Sequence, residues 1–339
     1  MGTLVLLSAG VGPTRNVSIF DPASPATHSI FNLAILVFAI TGLIFVVVEG
    51  VLFYSIVRFR HGADSEESTE PPQVYGSMPI EVAWTAAPAV IVFFLLLVTT
   101  RTLWEVKASP VEPRADDNTL FVTVLGRQWW WEYSYEKYNG RELGFVTANE
   151  LHIPASDDGT SRPTQLIVQS ADVCHSFWVP RLAGKMDLIP GRTNHLRLET
   201  TEPGLYVGQC AEYCGTQHAN MLIRVVVESP ADFERWLDNE IRPAVNDPAV
   251  SAGRQAFLSH SCVNCHRIRG TTAQGTYAPD LTHLMSRQTL ASGMIENTPE
   301  NLAAWVRDPQ SIKIGCLMPA FGLGTAEQDL IVEYLITLR

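Results

Sequence analysis

The stretch Gly208-Gln209-Cys210-Ala211-Glu212-Tyr213-Cys214-Gly215-Thr216-Gln217-His218-Ala219-Asn220-Met221 sets two cysteines, a histidine and a methionine within twelve residues. Thiolate, imidazole and thioether groups together favour copper over hard cations. Two cysteines four apart could also close a small disulfide in an exported domain, and on their own they leave both interpretations open. The histidine and the methionine beyond the second cysteine favour copper.

The residues around this stretch have the texture of an all-β domain. Short runs of strand character are bounded by Gly, Pro, Asn and Asp clusters, which predicts a β-sandwich of about 110 residues. These runs are residues 120–125, 129–135, 165–169, 194–199 and 221–227. One more ligand is available in Asp172-Val173-Cys174-His175-Ser176-Phe177-Trp178-Val179-Pro180, where His175 lies between two of the runs. We expect this domain to span residues 109–228.

A second cluster, Cys262-Val263-Asn264-Cys265-His266, predicts covalent haem. Two cysteines three apart can each bond one vinyl group of the porphyrin, and the adjacent histidine then lies under the iron. A redox dithiol or half of a zinc site would also fit Cys-x-x-Cys alone. The immediate histidine and the lack of a second cysteine pair nearby argue against both.

Residues 250–339 otherwise indicate helices and loops, and we expect an all-α domain of the class I cytochrome c type. Met318, in Leu317-Met318-Pro319-Ala320-Phe321-Gly322, resembles the distal methionine of that class. The alternatives for the sixth ligand are Met285, Met294 and His283, which we expect to be ordinary core or loop residues.

The segment Tyr277-Ala278-Pro279-Asp280-Leu281 resembles the one that supports the proximal histidine in class I cytochromes c. The resemblance implies that the Pro279 carbonyl accepts a hydrogen bond from the imidazole of His266, which orients the ring.

Two long apolar runs precede these domains. Residues 29–57 contain Glu49 as their only charged residue, and residues 82–100 contain none. As helices they would be about 43 and about 28 Å long, against a hydrocarbon thickness of roughly 30 Å. Buried helices of a soluble protein would instead show polar residues every turn or two. We expect a transmembrane hairpin over residues 29–108, with spans at about 29–57 and 82–104, after an N-terminal segment 1–28. Residues 229–249 are expected to form a linker with one helix.

Charge and cysteine content exclude two classes of protein. The chain of 339 residues has 24 basic and 35 acidic side chains, a formal net charge of −11. Nucleic-acid affinity depends on Lys and Arg that displace counterions from phosphates, so we expect no nucleic-acid partner. Six cysteines are too few for a disulfide scaffold in a chain of this length.

Taken in order, these motifs resemble subunit II of a haem–copper cytochrome c oxidase with a cytochrome c domain fused at its C-terminus. The resemblance covers nearly the whole chain. It implies a cupredoxin-like sandwich with a dinuclear copper centre, CuA. Its implied ligands are the side chains of His175, Cys210, Cys214, His218 and Met221 and the backbone carbonyl of Glu212.

The resemblance implies further roles. Trp129, the first tryptophan of Gly126-Arg127-Gln128-Trp129-Trp130-Trp131, matches the aromatic residue at which an external electron enters, with interface packing as the alternative. The side chain of Glu212 matches a ligand of a magnesium ion shared with subunit I. Glu81, in Pro79-Ile80-Glu81-Val82-Ala83-Trp84-Thr85, matches the carboxylate at the mouth of a proton-uptake channel, with a solvated helix end as the alternative.

Other positions carry no implied role. Glu49 matches no known function of the family. Cys174, beside His175, and Cys316, near Met318, depart from the family pattern, and we expect both to be small buried hydrophobic residues.

The function implied by the resemblance is electron transfer in a terminal respiratory oxidase. Electrons from a donor pass through haem c to CuA and on to subunit I, where oxygen is reduced to water with proton pumping. The implied partners are subunits I and III, a donor that is cytochrome c or another respiratory complex, and the lipid bilayer. Because haem attachment and copper loading occur outside the cytoplasm, both C-terminal domains are expected on the periplasmic side of the bacterial plasma membrane.

Two other functions remain as alternatives. A copper-binding assembly factor would need exchangeable sites with few ligands, whereas five side-chain ligands suggest a permanent centre. An electron-transfer subunit of a nitric or nitrous oxide reductase could share the copper motif. The two spans and Glu81 favour the oxidase, and the sequence does not identify the donor.

Overall fold

The computed structural model describes residues 17–60, 73, 75–107, 119–156 and 163–339. The chain divides into two compact units, His28–Lys107 and a second one made of Met1–Thr27 with Ala108–Arg339.

The unit His28–Lys107 is built from two long helices, α1 (Pro25–Arg58), which starts three residues before it, and α2 (Met78–Val106). Mean hydropathy reaches 2.7 in α1 and 2.3 in α2, and no residue of those windows is buried inside the protein. A helix that is apolar all round and uncovered by protein suits a lipid environment. Pro79 occupies the first turn of α2, where its missing N–H would have no intrahelical partner. The predicted helical hairpin is confirmed as a fold element.

The larger unit begins with a β-sandwich of two five-stranded sheets. The first sheet has the order β3-β2-β1-β5-β8 and the second the order β4-β10-β9-β6-β7. Pairing is antiparallel except for β1 with β5 and β4 with β10. The strands are β1 (Leu120–Arg127), β2 (Trp130–Tyr138), β3 (Arg141–Ala148), β4 (Glu150–Pro154), β5 (Thr164–Ser170), β6 (His175–Trp178), β7 (Met186–Leu188), β8 (Asn194–Leu198), β9 (Gly204–Cys210) and β10 (Leu222–Glu228).

Alternation along the strands builds the core of the sandwich. In β2 every second side chain points inward, so that Trp131, Tyr133 and Tyr135 are buried. The facing sheet contributes Phe177, whose ring meets that of Trp131 edge to face with centroids 5.6 Å apart.

Helix α3 (Pro230–Glu240) follows the sandwich and packs on it. The Ser229 side chain caps this helix by accepting a hydrogen bond from the Asp232 N–H. Phe233 is fully buried, and Trp236 stacks on His152 with ring centroids 4.3 Å apart.

The C-terminal region is mainly helical and has its own core. Its helices are α4 (Ser251–Ser259), α5 (Cys262–Cys265), α6 (Pro299–Arg307), α7 (Pro309–Ile312) and α8 (Thr325–Leu335), and a short hairpin pairs β11 (Thr289–Leu290) with β12 (Ile295–Glu296). Helices α4 and α8 meet at Gly253, where an added Cβ would lie 2.0 Å from the Leu330 carbonyl oxygen. Close approach of the two helices therefore requires glycine at this position. The expected class of a membrane hairpin, a β-sandwich and an α-helical cytochrome c domain is confirmed.

Candidate copper and haem sites

The predicted copper ligands come from two neighbouring strands and the loop that follows one of them. His175 begins β6, and Cys210 ends β9. The two strands pair through Phe177 and Cys210, which brings their ends together. The loop after Cys210 adds Cys214, His218 and Met221, so the topology brings all five side chains to one end of the sandwich.

The ligand atoms form one compact cluster. The sulfurs of Cys210 and Cys214 lie 3.8 Å apart. His175 Nδ1 is 3.9 Å from the Cys210 sulfur, and His218 Nδ1 is 3.6 Å from the Cys214 sulfur. Met221 Sδ lies 3.9 Å from the Cys214 sulfur, and the Glu212 carbonyl oxygen lies 3.2 Å from the Cys210 sulfur. The ligand atoms of His175, Cys210 and Cys214 all lie within 4.8 Å of one another, so these three residues could already hold a metal ion.

Backbone hydrogen bonds close the copper loop on itself. The Cys210 N–H donates to the Met221 carbonyl at 3.0 Å, and the Met221 N–H donates to the His218 carbonyl at 3.3 Å. His175, Cys210, Cys214 and Met221 are all buried. Backbone hydrogen bonds thus hold these side chains at one place in the loop.

The chemistry of the two cysteines fits a cation. Contact with Cys214 and with His175 holds the pKa of Cys210 well below its ordinary value. The same contact with Cys210 raises the pKa of Cys214. Two sulfurs at this distance cannot both ionise unless positive charge lies between them. A soft metal bound to both thiolates supplies that charge, so the donor set fits copper.

Asp172 orients the histidine of this cluster. Its carboxylate lies 2.8 Å from His175 Nε2, which leaves Nδ1 facing the sulfurs. The carboxylate also accepts hydrogen bonds from the Gln128 and Val173 N–H groups. Such a carboxylate fixes the tautomer and angle of a ligating imidazole. Asp172 was not among the residues predicted from the sequence. The only signal for it there is its position, since it is an acidic residue three positions before the candidate ligand His175.

The haem-motif residues line a large cavity that encloses about 1380 Å³, its open mouth included. Cys262, Cys265, His266, Pro279 and Met318 all contribute to its wall. His266 Nδ1 lies 2.7 Å from the Pro279 carbonyl, which leaves Nε2 for a metal. Burial lowers the pKa of His266 and so favours the neutral imidazole that binds iron.

A buried donor in the wall also fits haem. Arg287 lines the cavity, and its Nε has no hydrogen-bond partner among the described residues. Burial lowers the pKa of this guanidinium. A porphyrin carboxylate would supply the missing acceptor and the countercharge.

Of the four candidate axial ligands, only Met318 lies in the cavity wall. Its carbonyl accepts a hydrogen bond from Gln310 Nε2 at 2.9 Å, which anchors the loop. His283 faces elsewhere, because its ring nitrogens lie 2.8 and 3.0 Å from the carbonyls of Arg339 and Arg242.

Trp129 touches both sites. Its Nε1 donates a hydrogen bond of 2.9 Å to the carbonyl of Cys214, and the Gln128 amide donates to the same oxygen at 2.7 Å. Trp129 and Trp130 also line the haem cavity. The cavity therefore has a wall made by the sandwich, and one residue of that wall bonds directly to a copper-ligand residue.

The remaining residues singled out from the sequence differ in their exposure to solvent. Glu81 is in the first turn of α2, and Glu49 is exposed on α1. The Glu212 side chain is exposed although its carbonyl faces Cys210. The expectation that Cys174 is buried is wrong, since the residue is exposed. Cys316 is partly buried and accepts a hydrogen bond from Gln310 Nε2.

Three family models match the chain. One described as the periplasmic domain of cytochrome c oxidase subunit II covers residues 120–229, one described as cytochrome c covers 250–339, and one described as the transmembrane domain of cytochrome c oxidase subunit II covers 13–101. The solved periplasmic domain of subunit II of cytochrome oxidase from Bradyrhizobium japonicum is 29% identical, with a TM-score of 0.32, over 38% of this chain and 96% of that one.

Relatives match from end to end. The cytochrome c oxidase subunit 2 of Alkalihalophilus pseudofirmus is 33% identical over 99% of this chain and 95% of its own length. That of a Bacillus species, strain PS3, is 34% identical over 100% of this chain and 96% of its own length.

A membrane hairpin, a copper-ligating sandwich and a cytochrome c domain together define an electron-transfer subunit of a haem–copper oxidase. Its periplasmic-type domain implies copper, and its cytochrome domain implies haem c. The chain belongs to the cytochrome c oxidase subunit II family, in the form that carries a fused cytochrome c domain. It is a membrane protein with periplasmic domains and acts together with subunit I.

Proposed function

We propose that this chain holds a haem c and a CuA centre as two one-electron carriers that connect a respiratory donor to subunit I. The observation that carries the proposal is the position of Trp129, which lines the haem cavity and donates a hydrogen bond to the Cys214 carbonyl. Both sites are formed by one compact unit of the chain.

On the haem side, Cys262 and Cys265 would hold the haem through thioether bonds. His266 and Met318 would ligate the iron, and the Pro279 carbonyl orients the His266 ring. Apolar residues of the wall, such as Leu302 and Ile331, exclude water, which keeps the environment of the cofactor the same in both redox states.

On the copper side, the ligands are the side chains of His175, Cys210, Cys214, His218 and Met221 and the carbonyl of Glu212. The backbone bonds within the loop hold these groups in place before and after each electron. A permanent electron carrier needs that rigidity, whereas a site that delivers copper to another protein would need to open. The geometry therefore supports the oxidase role over the assembly factor.

Trp129 provides a direct aromatic connection between the sites. From the cavity wall the connection runs through the indole ring, the Nε1–H bond and the backbone of Cys214 to its sulfur. An external electron donor would then approach Tyr277 and Leu317, two exposed residues that line the cavity. A soluble cytochrome c or a neighbouring respiratory complex is the proposed donor.

Three finer assignments belong to the same proposal. The exposed Glu212 carboxylate is a ligand of a magnesium ion at the boundary with subunit I. Glu81, at the start of α2, marks the entrance of a proton channel. The chain lies in the bacterial plasma membrane with both C-terminal domains in the periplasm, next to subunits I and III.

The cofactor content can be tested on the full chain in detergent. We expect a mixed-valence near-infrared band, two coppers and one covalently bound haem per chain. A disulfide between Cys210 and Cys214 together with one copper or none would overturn the copper assignment.

The role of Trp129 is tested with Trp129→Phe, which keeps an aromatic ring and removes the N–H donor. We expect the rate of electron transfer between the two centres after flash reduction to fall roughly tenfold or more, because small losses of alignment cost large factors in rate. Trp130→Phe is the matched control, since Trp130 also lines the cavity. Equal rates in the two variants would contradict the proposed connection.

A further inference from the structure

Lys313 is a buried lysine at the junction of the sandwich and the haem domain. It follows α7 and is 3% exposed. Its Nζ donates to three backbone carbonyls: Trp129 at 2.8 Å, Asn220 at 3.0 Å and Ala291 at 3.0 Å. Each N–H bond of an ammonium group thus has one acceptor. Two acceptors belong to the sandwich and one to the haem domain, so a single side chain joins both.

The two acceptors in the sandwich flank the copper site. Trp129 bonds to the Cys214 carbonyl, and Asn220 lies between the ligands His218 and Met221. Lys313 itself lines the haem cavity and precedes Met318 by five residues. No other side chain described in the structure makes hydrogen bonds to the backbone beside both sites.

The charge of Lys313 is not balanced by an acid. Among the described residues, none of the ion pairs involves Lys313. Burial lowers the pKa of Lys313 to about 7. The three carbonyls oppose that effect, since each accepts one N–H bond of the charged form. A buried cation favours the addition of an electron nearby.

A second junction contact is made by a side chain that is not part of the cavity wall. Glu150, on β4, is 1% exposed and accepts hydrogen bonds from the Thr289 N–H at 2.9 Å and its hydroxyl at 2.7 Å. It also accepts from the Gln288 N–H at 2.9 Å. Glu150 joins the same two domains as Lys313 without touching a candidate ligand, which makes it a natural control.

We propose that Lys313 is a positioning residue for electron transfer between the haem and copper sites. Its ammonium clamps the haem domain to the carbonyls of Trp129 and Asn220, and so fixes the distance from the haem cavity to the copper loop. The inference rests on the proposed function, because it assumes that both cofactors are held where the ligands lie.

The test uses the full chain in detergent with Lys313→Met, which keeps a long unbranched side chain, one atom shorter, and removes all three donors. We expect near-wild-type copper and haem content, a transfer rate after flash reduction lowered roughly tenfold or more, and lower midpoint potentials for both centres. Pulsed EPR between the oxidised centres should give a narrow distance distribution in the wild type and a broader one in the variant.

Glu150→Gln is the control. It weakens a different contact of the same junction, and we expect the transfer rate, the potentials and the distance distribution to stay near those of the wild type. A general loss of stability would affect both variants, whereas the positioning role affects only the Lys313 variant.

The outcomes separate this inference from the function on which it rests. A wild-type chain without the two centres overturns the proposed function. A wild-type chain with both centres, and a Lys313→Met variant with unchanged rate and distance distribution, overturns only the role of Lys313. If Lys313→Met fails to take up cofactors, the transfer rate and the distance distribution are measured on Lys313→Gln instead. Its amide keeps polar N–H donors at the buried position, but it has only two N–H bonds for three carbonyls.

Discussion

The copper loop and the haem cavity each bring ligand groups for a redox centre together, but they arrange those groups differently. In the copper loop, all ligand groups already lie within 3.2–3.9 Å of a neighbouring one, and backbone bonds close the loop. The haem ligands surround an open cavity of about 1380 Å³, and Met318 lies in a segment without regular secondary structure between α7 and α8. The sandwich therefore gathers its candidate ligand groups in one tight cluster, whereas those of the haem domain are spread around the wall of a cavity.

The difference extends to the hydrophobic cores. The sandwich with α3 has a large continuous core that includes Trp131, Tyr133 and Phe177. The haem domain has a smaller, separate core around Phe257, Ile331 and Leu335, and these same residues face the cavity. Removing the contents of the cavity thus exposes the core of the haem domain and leaves the other core covered.

The largest expected effect comes from preventing haem attachment. In the double variant Cys262→Ser/Cys265→Ser we expect complete loss of covalent haem and of protease resistance in residues 250–339. The copper band should remain, because the ligands and core of the sandwich do not include this region. Limited proteolysis with near-infrared spectroscopy measures both. If the haem domain resists protease without haem, the proposed difference between the two domains is wrong.

Two glycines give a sharper test, one in each domain. A Cβ added at Gly208, on β9, would lie 2.1 Å from the Trp178 carbonyl oxygen of β6. Because the clash is with backbone, the strands must separate, and they carry Cys210 and His175. For Gly208→Ala we expect a loss of stability of about 3 kcal/mol or more and less than full copper occupancy with haem retained.

The matched variant is Gly253→Ala, whose Cβ would lie 2.0 Å from the Leu330 carbonyl oxygen. The strain falls on the contact of α4 with α8, so we expect a lower melting temperature of the haem domain with copper retained. Metal analysis and thermal unfolding followed in the haem and copper bands measure both variants. If each substitution removes both cofactors, the two domains are one cooperative unit and the comparison fails.

Sequence reasoning predicted the fold class because its signals are local. Apolar runs, ligand spacing and the Cys-x-x-Cys-His motif each lie within a few dozen residues. It did not find β3, β4, β6, β7 and β9. Of these, β6 and β7 have only four and three residues, and they depend on pairing of β6 with β7 and β9. The role of Lys313 could not be predicted from the sequence either, because the hydrogen bond to Trp129 joins residues 184 positions apart in the chain.

The error at Cys174 also has a physical cause. Cys174 belongs to residues 171–174, which connect β5 to β6 and are all exposed. Burial begins at His175, the first residue of β6, and continues through Ser176 and Phe177. The sequence does not mark this boundary, because Val173 and Cys174 are apolar residues directly before the buried strand.

The smallest expected effect concerns Asp172, and it tests what orients His175 in the copper site. Asp172→Asn keeps the shape of the side chain and an oxygen acceptor but removes the negative charge beside His175 Nε2. Losing such a partner of a ligating histidine typically costs about 10- to 100-fold in metal affinity. We expect that loss in competitive chelator titrations, with the near-infrared band retained once the site is loaded.

The control for Asp172 is Asp280, a buried acid of the haem domain. Asp280 accepts a hydrogen bond from the Thr282 N–H at 2.8 Å and contacts none of the copper ligands, so Asp280→Asn should leave copper affinity unchanged. Wild-type affinity in Asp172→Asn would mean that the loop backbone alone orients His175. A loss of copper affinity in Asp172→Asn but not in Asp280→Asn would show that the geometry of the copper site depends on a residue outside the ligand set. In the haem domain, Pro279 has the corresponding position, but there the acceptor is a backbone carbonyl that no side-chain substitution removes.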